Sequence, residues 1–123
     1  MSPSVRNIIA WILQVLLALA FIKSGFDKLS HGPETAKMFG SLGLPEWFAY
    51  FIGGAELLGG IGLLIPQTVR LAATGLVLVM VGALVMHATA IPGGIGGGGF
   101  AAALLLGLMM VLLLRRRGPL TAV

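Results

Sequence analysis

Four ionisable residues lie within or beside apolar stretches of this chain and are the first candidates for chemistry. Glu56 falls at the middle of one apolar run, and His87 lies near the end of the next one. Lys23 and Asp27 follow the first run, and because they are four residues apart they share one face of a helix. A charged group at the centre of a membrane span costs about 2.5–3.5 kcal/mol on insertion scales, so such groups usually have a function. These four side chains are therefore candidates for ligand binding or proton transfer.

Three interpretations of this polar group remain open. In the first, the side chains satisfy one another, with Lys23 paired to Asp27 or extended towards the membrane interface. In the second, they form a pocket, open to the outer face, for a redox-active or protonatable ligand such as a quinone head group. In the third, the chain carries protons or solutes, although four short helices lack the inverted repeats and broken helices of most transporters. The few histidines and carboxylates have no regular ligand spacing, so no metal site is expected.

The composition is that of a membrane protein. Of the 123 residues, 58% are hydrophobic and 10% are charged, whereas soluble domains have about 45–50% and about 25%. The chain has no cysteine, which excludes disulfides, thiolate metal sites and thiol chemistry of its own. The net charge of +4 does not indicate nucleic-acid binding, because the basic residues form no stripe interleaved with aromatic residues.

The elements that position the candidates are four apolar segments at residues 7–29, 47–65, 71–91 and 95–114. Each approaches the roughly 20 residues that cross a bilayer as a helix. The connections are short, so we predict an all-α fold in which a single domain, residues 1–123, forms an integral membrane four-helix antiparallel (up-down-up-down) bundle. Residues 30–46 are expected to form a loop or a short interfacial helix, with Pro33 in its first turn. Small residues every four positions on the fourth segment suit packing within the bundle or a homodimer.

The distribution of basic residues predicts an orientation. With both termini on one side, that side carries five arginines: Arg6, Arg70, Arg115, Arg116 and Arg117. The other side has three lysines: Lys23, Lys28 and Lys37. Both termini are therefore expected in the cytoplasm, with the chain in the inner (plasma) membrane. The first segment also resembles a signal peptide with a cleavage site at Ala18-Leu19-Ala20, but its apolar run continues to Ile22, which favours a retained helix.

A set of short motifs, in order, resembles the DoxX family of small four-helix membrane proteins. The motifs are Phe21-x-x-Ser24-Gly25-x-x-Lys28-Leu29, Gly43-Leu44-Pro45, Glu56-x-x-Gly59-Gly60, Arg70-Leu71-Ala72-Ala73 and His87. The resemblance implies a small subunit or accessory factor of a membrane redox system, with a membrane or peripheral oxidoreductase as its partner, and not a stand-alone enzyme.

The same resemblance adds two candidate residues to the four above, Lys28 and Arg70. Contact with quinone through Glu56, His87 and Lys28 is one expectation, and no covalently bound cofactor is expected. Lys23 and Asp27 lie outside the family pattern. The alternative function is that of a structural or assembly protein, bound to the lipid bilayer, whose polar residues only hold the bundle together.

Overall fold

The computed structural model describes residues 2–89 and 99–115, except the side chains of residues 87–89 and 100. Within these residues the chain is all-helical. Its five helices are α1 (Pro3–Ser30), α2 (Gly32–Ser41), α3 (Trp47–Gly62), α4 (Val69–Thr89) and α5 (Gly99–Leu114). Compared with the predicted segments, α1 begins earlier, α3 ends earlier, and α4 begins about half a turn earlier. The predicted end of the third segment at residue 91 lies outside the described residues. The predicted start of the last segment at residue 95 lies outside the described residues.

Local capping explains where the first two helices begin and end. Ser2 precedes α1, and its Oγ accepts a hydrogen bond from the Val5 amide at 3.2 Å, as a helix N-cap does. α2 has a proline in its first turn, where the missing N–H costs nothing. Gly43 follows α2 with a φ of 86°, a left-handed conformation that favours glycine. This turn leads the chain into α3.

The helices pack in a ring in which α1 and α4 each contact both α3 and α5, while α2 packs mainly on α3. One apolar core lies between the four longer helices. Its buried members are Leu17, Ala18, Phe21, Leu63, Val69, Ala73, Leu76, Met80, Leu108 and Val111. A smaller cluster of Ala36, Phe39 and Ala49 joins α2 to α3. The apolar face of α2 is thus used largely for this contact.

Two of the helices have the length and composition of a membrane span, α1 and the first 18 residues of α4. The outward surface is correspondingly apolar, with Leu71 77% exposed and Leu58 and Leu78 each 70% exposed. Leucines in such positions suit contact with lipid tails. α3 and α5 have 16 residues each, so the predicted bundle of four crossings stays a prediction.

Candidate functional site

A buried ion pair joins α1 to α3. Lys28 Nζ lies 2.9 Å from Glu56 Oε1. Ser24 links the two, because its Oγ accepts a hydrogen bond from Lys28 Nζ at 2.8 Å and donates one to Glu56 Oε1 at 3.1 Å. Glu56 is 3% exposed, whereas the Lys28 side chain keeps 26% of its surface exposed. We refer to Ser24, Lys28 and Glu56 as the ion-pair cluster.

Glycines bring the two helices close enough for this pair to form. A Cβ on Gly25 would lie 2.5 Å from both the Gly53 carbonyl oxygen and the Leu57 amide nitrogen, so no side chain fits there. A Cβ on Gly53 would lie 3.1 Å from the Lys28 Cβ. The backbones of α1 and α3 therefore approach closely beside the cluster. Ser24 and Lys28 are four residues apart and present their polar atoms on the same face of α1.

The hydrogen bonds leave the Lys28 ammonium with capacity for a further partner. A lysine ammonium has three N–H donors, of which one donates to the Ser24 hydroxyl, while the Glu56 carboxylate lies at ion-pair distance. In the described part of the chain no third acceptor is found for Lys28. Because its side chain is partly exposed, the remaining donor can serve a bound molecule.

An open groove lies beside the cluster, between α1 and α2. It encloses about 570 Å³, and its polar lining consists of Lys23, Ser24, Asp27, Lys28, His31 and Thr35. Ala20 and Met38 supply apolar surface. A pocket with a few converging polar groups on an apolar wall is the usual form of a small-molecule site. The groove therefore gives an external molecule a route to Lys28.

Lys23 and Asp27 line this groove but do not join Glu56. Their side chains pair with each other at 2.7 Å and are 78% and 49% exposed. Lys23 precedes Lys28 by five residues, which places it about 140° away around the helix. Residue spacing alone grouped Lys23 with Glu56, whereas the family resemblance named Lys28. The structure places Lys28 beside Glu56, because the close approach at Gly25 determines which face of α1 meets α3.

The other two predicted site residues, His87 and Arg70, belong to α4. The side chain of His87 is outside the described part of the structure, so its role stays a prediction. Arg70 is at the start of α4, where its carbonyl oxygen accepts a hydrogen bond from Thr74 Oγ1 at 2.8 Å. That end of α4 adjoins the end of α3, away from the ion-pair cluster. In the described residues, His, Asp and Glu side chains form no group of three that could hold a metal.

Sequence analysis missed a second polar cluster at the opposite end of α1. Arg115 is 1% exposed, and its Nε and Nη1 donate to Gln14 Oε1 and Asn7 Oδ1, both at 2.8 Å. Gln14 Nε2 in turn donates to the Leu63 carbonyl oxygen at 2.7 Å. We refer to Asn7, Gln14 and Arg115 as the arginine cluster. The signal available in the sequence was Gln14, the one polar residue inside the first apolar run.

Comparison with known proteins shows which family the chain belongs to. The DoxX-like family matches residues 12–112, most of the chain and both sides of the ion pair. A protein of Bacillus subtilis (strain 168) named "Putative oxidoreductase CatD" is 31% identical over 74 residues, which cover 60% of this chain and 55% of CatD. The chain thus matches about half the length of that relative. No solved structure matches. With most of its length matched, this chain belongs to the DoxX-like family.

Proposed function

We propose that the chain is a small multi-pass subunit or accessory factor of a quinone-linked redox system in the inner membrane. The observation that carries the proposal is the buried Lys28–Glu56 pair at the side of an open groove. Buried ionisable groups in a membrane protein usually serve transport, proton transfer or ligand binding. The name of CatD supports an association with oxidoreductases, and the family supports placement in a membrane.

The ion-pair cluster has the groups that a quinone head group requires. The carbonyl oxygens of a quinone accept hydrogen bonds, and the unused N–H of Lys28 can donate one. The hydroxyls of the reduced form donate hydrogen bonds, and the Ser24 hydroxyl, which lines the groove, can accept one. Glu56 is buried and does not line the groove, so its part is to hold Lys28 and Ser24 in position. Reduction of a quinone to a hydroquinone takes two electrons and two protons. The chain has no cysteine, so its own thiols do not supply the electrons, and we assign that step to the partner oxidoreductase.

The proposed topology has four crossings, by α1, α3, α4 and α5. The helical parts of α3 and α5 measure about 24 Å each at 1.5 Å per residue, close to the roughly 30 Å of the hydrocarbon core. The start of α1, the end of α3, the start of α4 and the end of α5 share the arginine-bearing side, which is placed in the cytoplasm. The ion-pair cluster and its groove then face the outer half of the membrane, with α2 near the interface.

Purification from the native membrane tests the proposal. The protein would be isolated in mild detergent, bound proteins identified by mass spectrometry, and bound lipids extracted for quinone. A stoichiometric oxidoreductase partner or enriched quinone is the expected result. A protein that carries neither partner nor quinone would contradict the proposal and favour transport or a structural role.

Substitution of Glu56 separates the redox role from the structural alternative. In Glu56→Gln, which keeps the side-chain shape, the redox activity of the complex is expected to fall while membrane yield stays near that of the wild type. Asp27→Asn is the matched control, because it removes a carboxylate that lines the groove without touching the Lys28–Glu56 pair. If Glu56→Gln lowers yield first and leaves the activity per molecule unchanged, the cluster only holds the helices together.

A further inference from the structure

Among the described residues, the charge of the arginine cluster is buried without an acidic partner. All four acids of the chain, Asp27, Glu34, Glu46 and Glu56, lie in the described residues, and the oxygens bonded to Arg115 belong to amides. Glu56 precedes Leu63 by seven residues, about 10 Å along α3. A buried charge without a counter-charge is costly. Arg115 therefore lacks the compensation that Glu56 gives Lys28.

The guanidinium also has a donor nitrogen without an acceptor. Nε and Nη1 are bonded to Gln14 and Asn7, whereas Nη2 is buried and no atom of the described residues accepts from it. The Trp11 ring, 5.6 Å from the guanidinium carbon, stabilises the positive charge but provides no oxygen for Nη2. The carbonyl end of α5 likewise favours a cation there. These contacts leave the hydrogen bonding of Arg115 incomplete.

The position of Arg115 in the fold indicates which ligand would complete its hydrogen bonding. Arg115 directly follows the last residue of α5, so in the proposed topology it lies where an apolar span meets the lipid head groups. Arg6 Nη2 donates to the Leu113 carbonyl oxygen at 3.3 Å, which places a second guanidinium at the same helix end. Basic pockets between membrane helices on the cytoplasmic side bind anionic head groups.

We propose that the arginine cluster is a phosphate site that holds the head group of an anionic phospholipid between the ends of α1, α3 and α5. Arginine binds phosphate oxygens through paired, charge-assisted hydrogen bonds, and the phosphate supplies both the missing acceptor for Nη2 and the missing negative charge. This inference rests on the proposed membrane topology but not on quinone binding. Because Nη2 is covered, the lipid enters only when the helix ends separate slightly, so exchange is slow and the lipid survives purification.

Native mass spectrometry of the full chain tests the site. The wild-type protein would be purified in detergent with equal amounts of phosphatidylglycerol and phosphatidylcholine of the same acyl chains. The expected result is one retained phosphatidylglycerol per chain, preferred about tenfold or more over phosphatidylcholine. A wild-type protein without this preference would overturn the proposal, whatever the variants show.

Two variants locate the site. Arg115→Lys keeps the charge but removes the planar pair of donors, and it is expected to lose most of the preference. Arg70→Gln removes one arginine from the same end of the bundle outside the cluster, and it is expected to keep the preference. An equal loss in both would mean that the total charge attracts the lipid and would overturn an assignment to Arg115.

A parallel titration of the delipidated protein with inorganic phosphate distinguishes the source of the anion. If only phosphatidylglycerol is retained, the occupant is a lipid. If inorganic phosphate binds and phosphatidylglycerol shows no preference, a soluble anion occupies the site and the lipid assignment is overturned.

Discussion

The two ends of α1 bury a cation in different ways. Near its C-terminal end, Lys28 is paired with a carboxylate at 2.9 Å and remains open to a groove. Near its N-terminal end, Arg115, which directly follows α5, is covered and bonded to the amide oxygens of Gln14 and Asn7. A cation that already has its counter-charge can donate to a neutral carbonyl ligand, whereas a cation without one attracts an anion. This difference underlies the two proposals, a quinone-type ligand at the ion-pair cluster and a phosphate at the arginine cluster.

The largest effect is expected from breaking the helix contact beneath the ion-pair cluster. In Gly25→Ala the new Cβ would meet backbone atoms of α3 at 2.5 Å, so α1 and α3 must move apart. We expect a loss of about 3 kcal/mol in the free energy of unfolding, measured by detergent-induced unfolding. Gly54→Ala is the matched control, because its Cβ would meet nothing within 4 Å. Equal stability of the two variants would contradict the close contact.

The next effect comes from leaving Glu56 without its partner. Lys28→Met should lower the free energy of unfolding by about 2 kcal/mol. The loss is smaller than that from breaking a fully buried ion pair, because Lys28 is partly exposed. Adding Glu56→Gln to Lys28→Met should restore part of that stability, since the carboxylate no longer needs a cation. The coupling is obtained from a double-mutant cycle of unfolding free energies. Strictly additive effects would mean that the two side chains do not interact.

A third substitution gives the arginine cluster a carboxylate of its own, as the ion-pair cluster has. Gln14→Glu places a carboxylate beside Arg115 Nε, and this carboxylate supplies the counter-charge. The hydrogen bond to the Leu63 carbonyl oxygen is lost, which lowers the free energy of unfolding by about 1 kcal/mol. Retention of phosphatidylglycerol in native mass spectrometry is expected to fall towards that of phosphatidylcholine. An unchanged lipid preference would show that missing charge compensation is not what attracts the anion.

The smallest effect is expected at the exposed pair. Lys23→Gln and Asp27→Asn should each unfold like the wild type within experimental error, because exposed ion pairs contribute little. The same detergent-unfolding assay measures both. A clear loss of stability in either variant would place that pair in the interior with Glu56, as one of the interpretations of the sequence had it.

The sequence predicts some of these features and not others, for physical reasons. Glu56 is recognisable because a single acid within an apolar run must have a partner. The choice of Lys28 over Lys23 depends on the rotation of α1, which is determined by the close approach of Gly25 to α3, a tertiary contact that spacing along one helix does not reveal. Arg115 and Gln14 are 101 residues apart, and a terminal arginine run is ordinarily interpreted as a topology signal.

The most direct test of the central claim is quinone binding by the purified protein. A short-chain quinone would be titrated into the wild type, Lys28→Met and Lys23→Met, with the rise in melting temperature as the measure of binding. We expect saturable stabilisation of the wild type and of Lys23→Met, and affinity at least about tenfold weaker in Lys28→Met. No stabilisation of the wild type, or equal affinity in all three proteins, would contradict the assignment of the quinone to the ion-pair cluster.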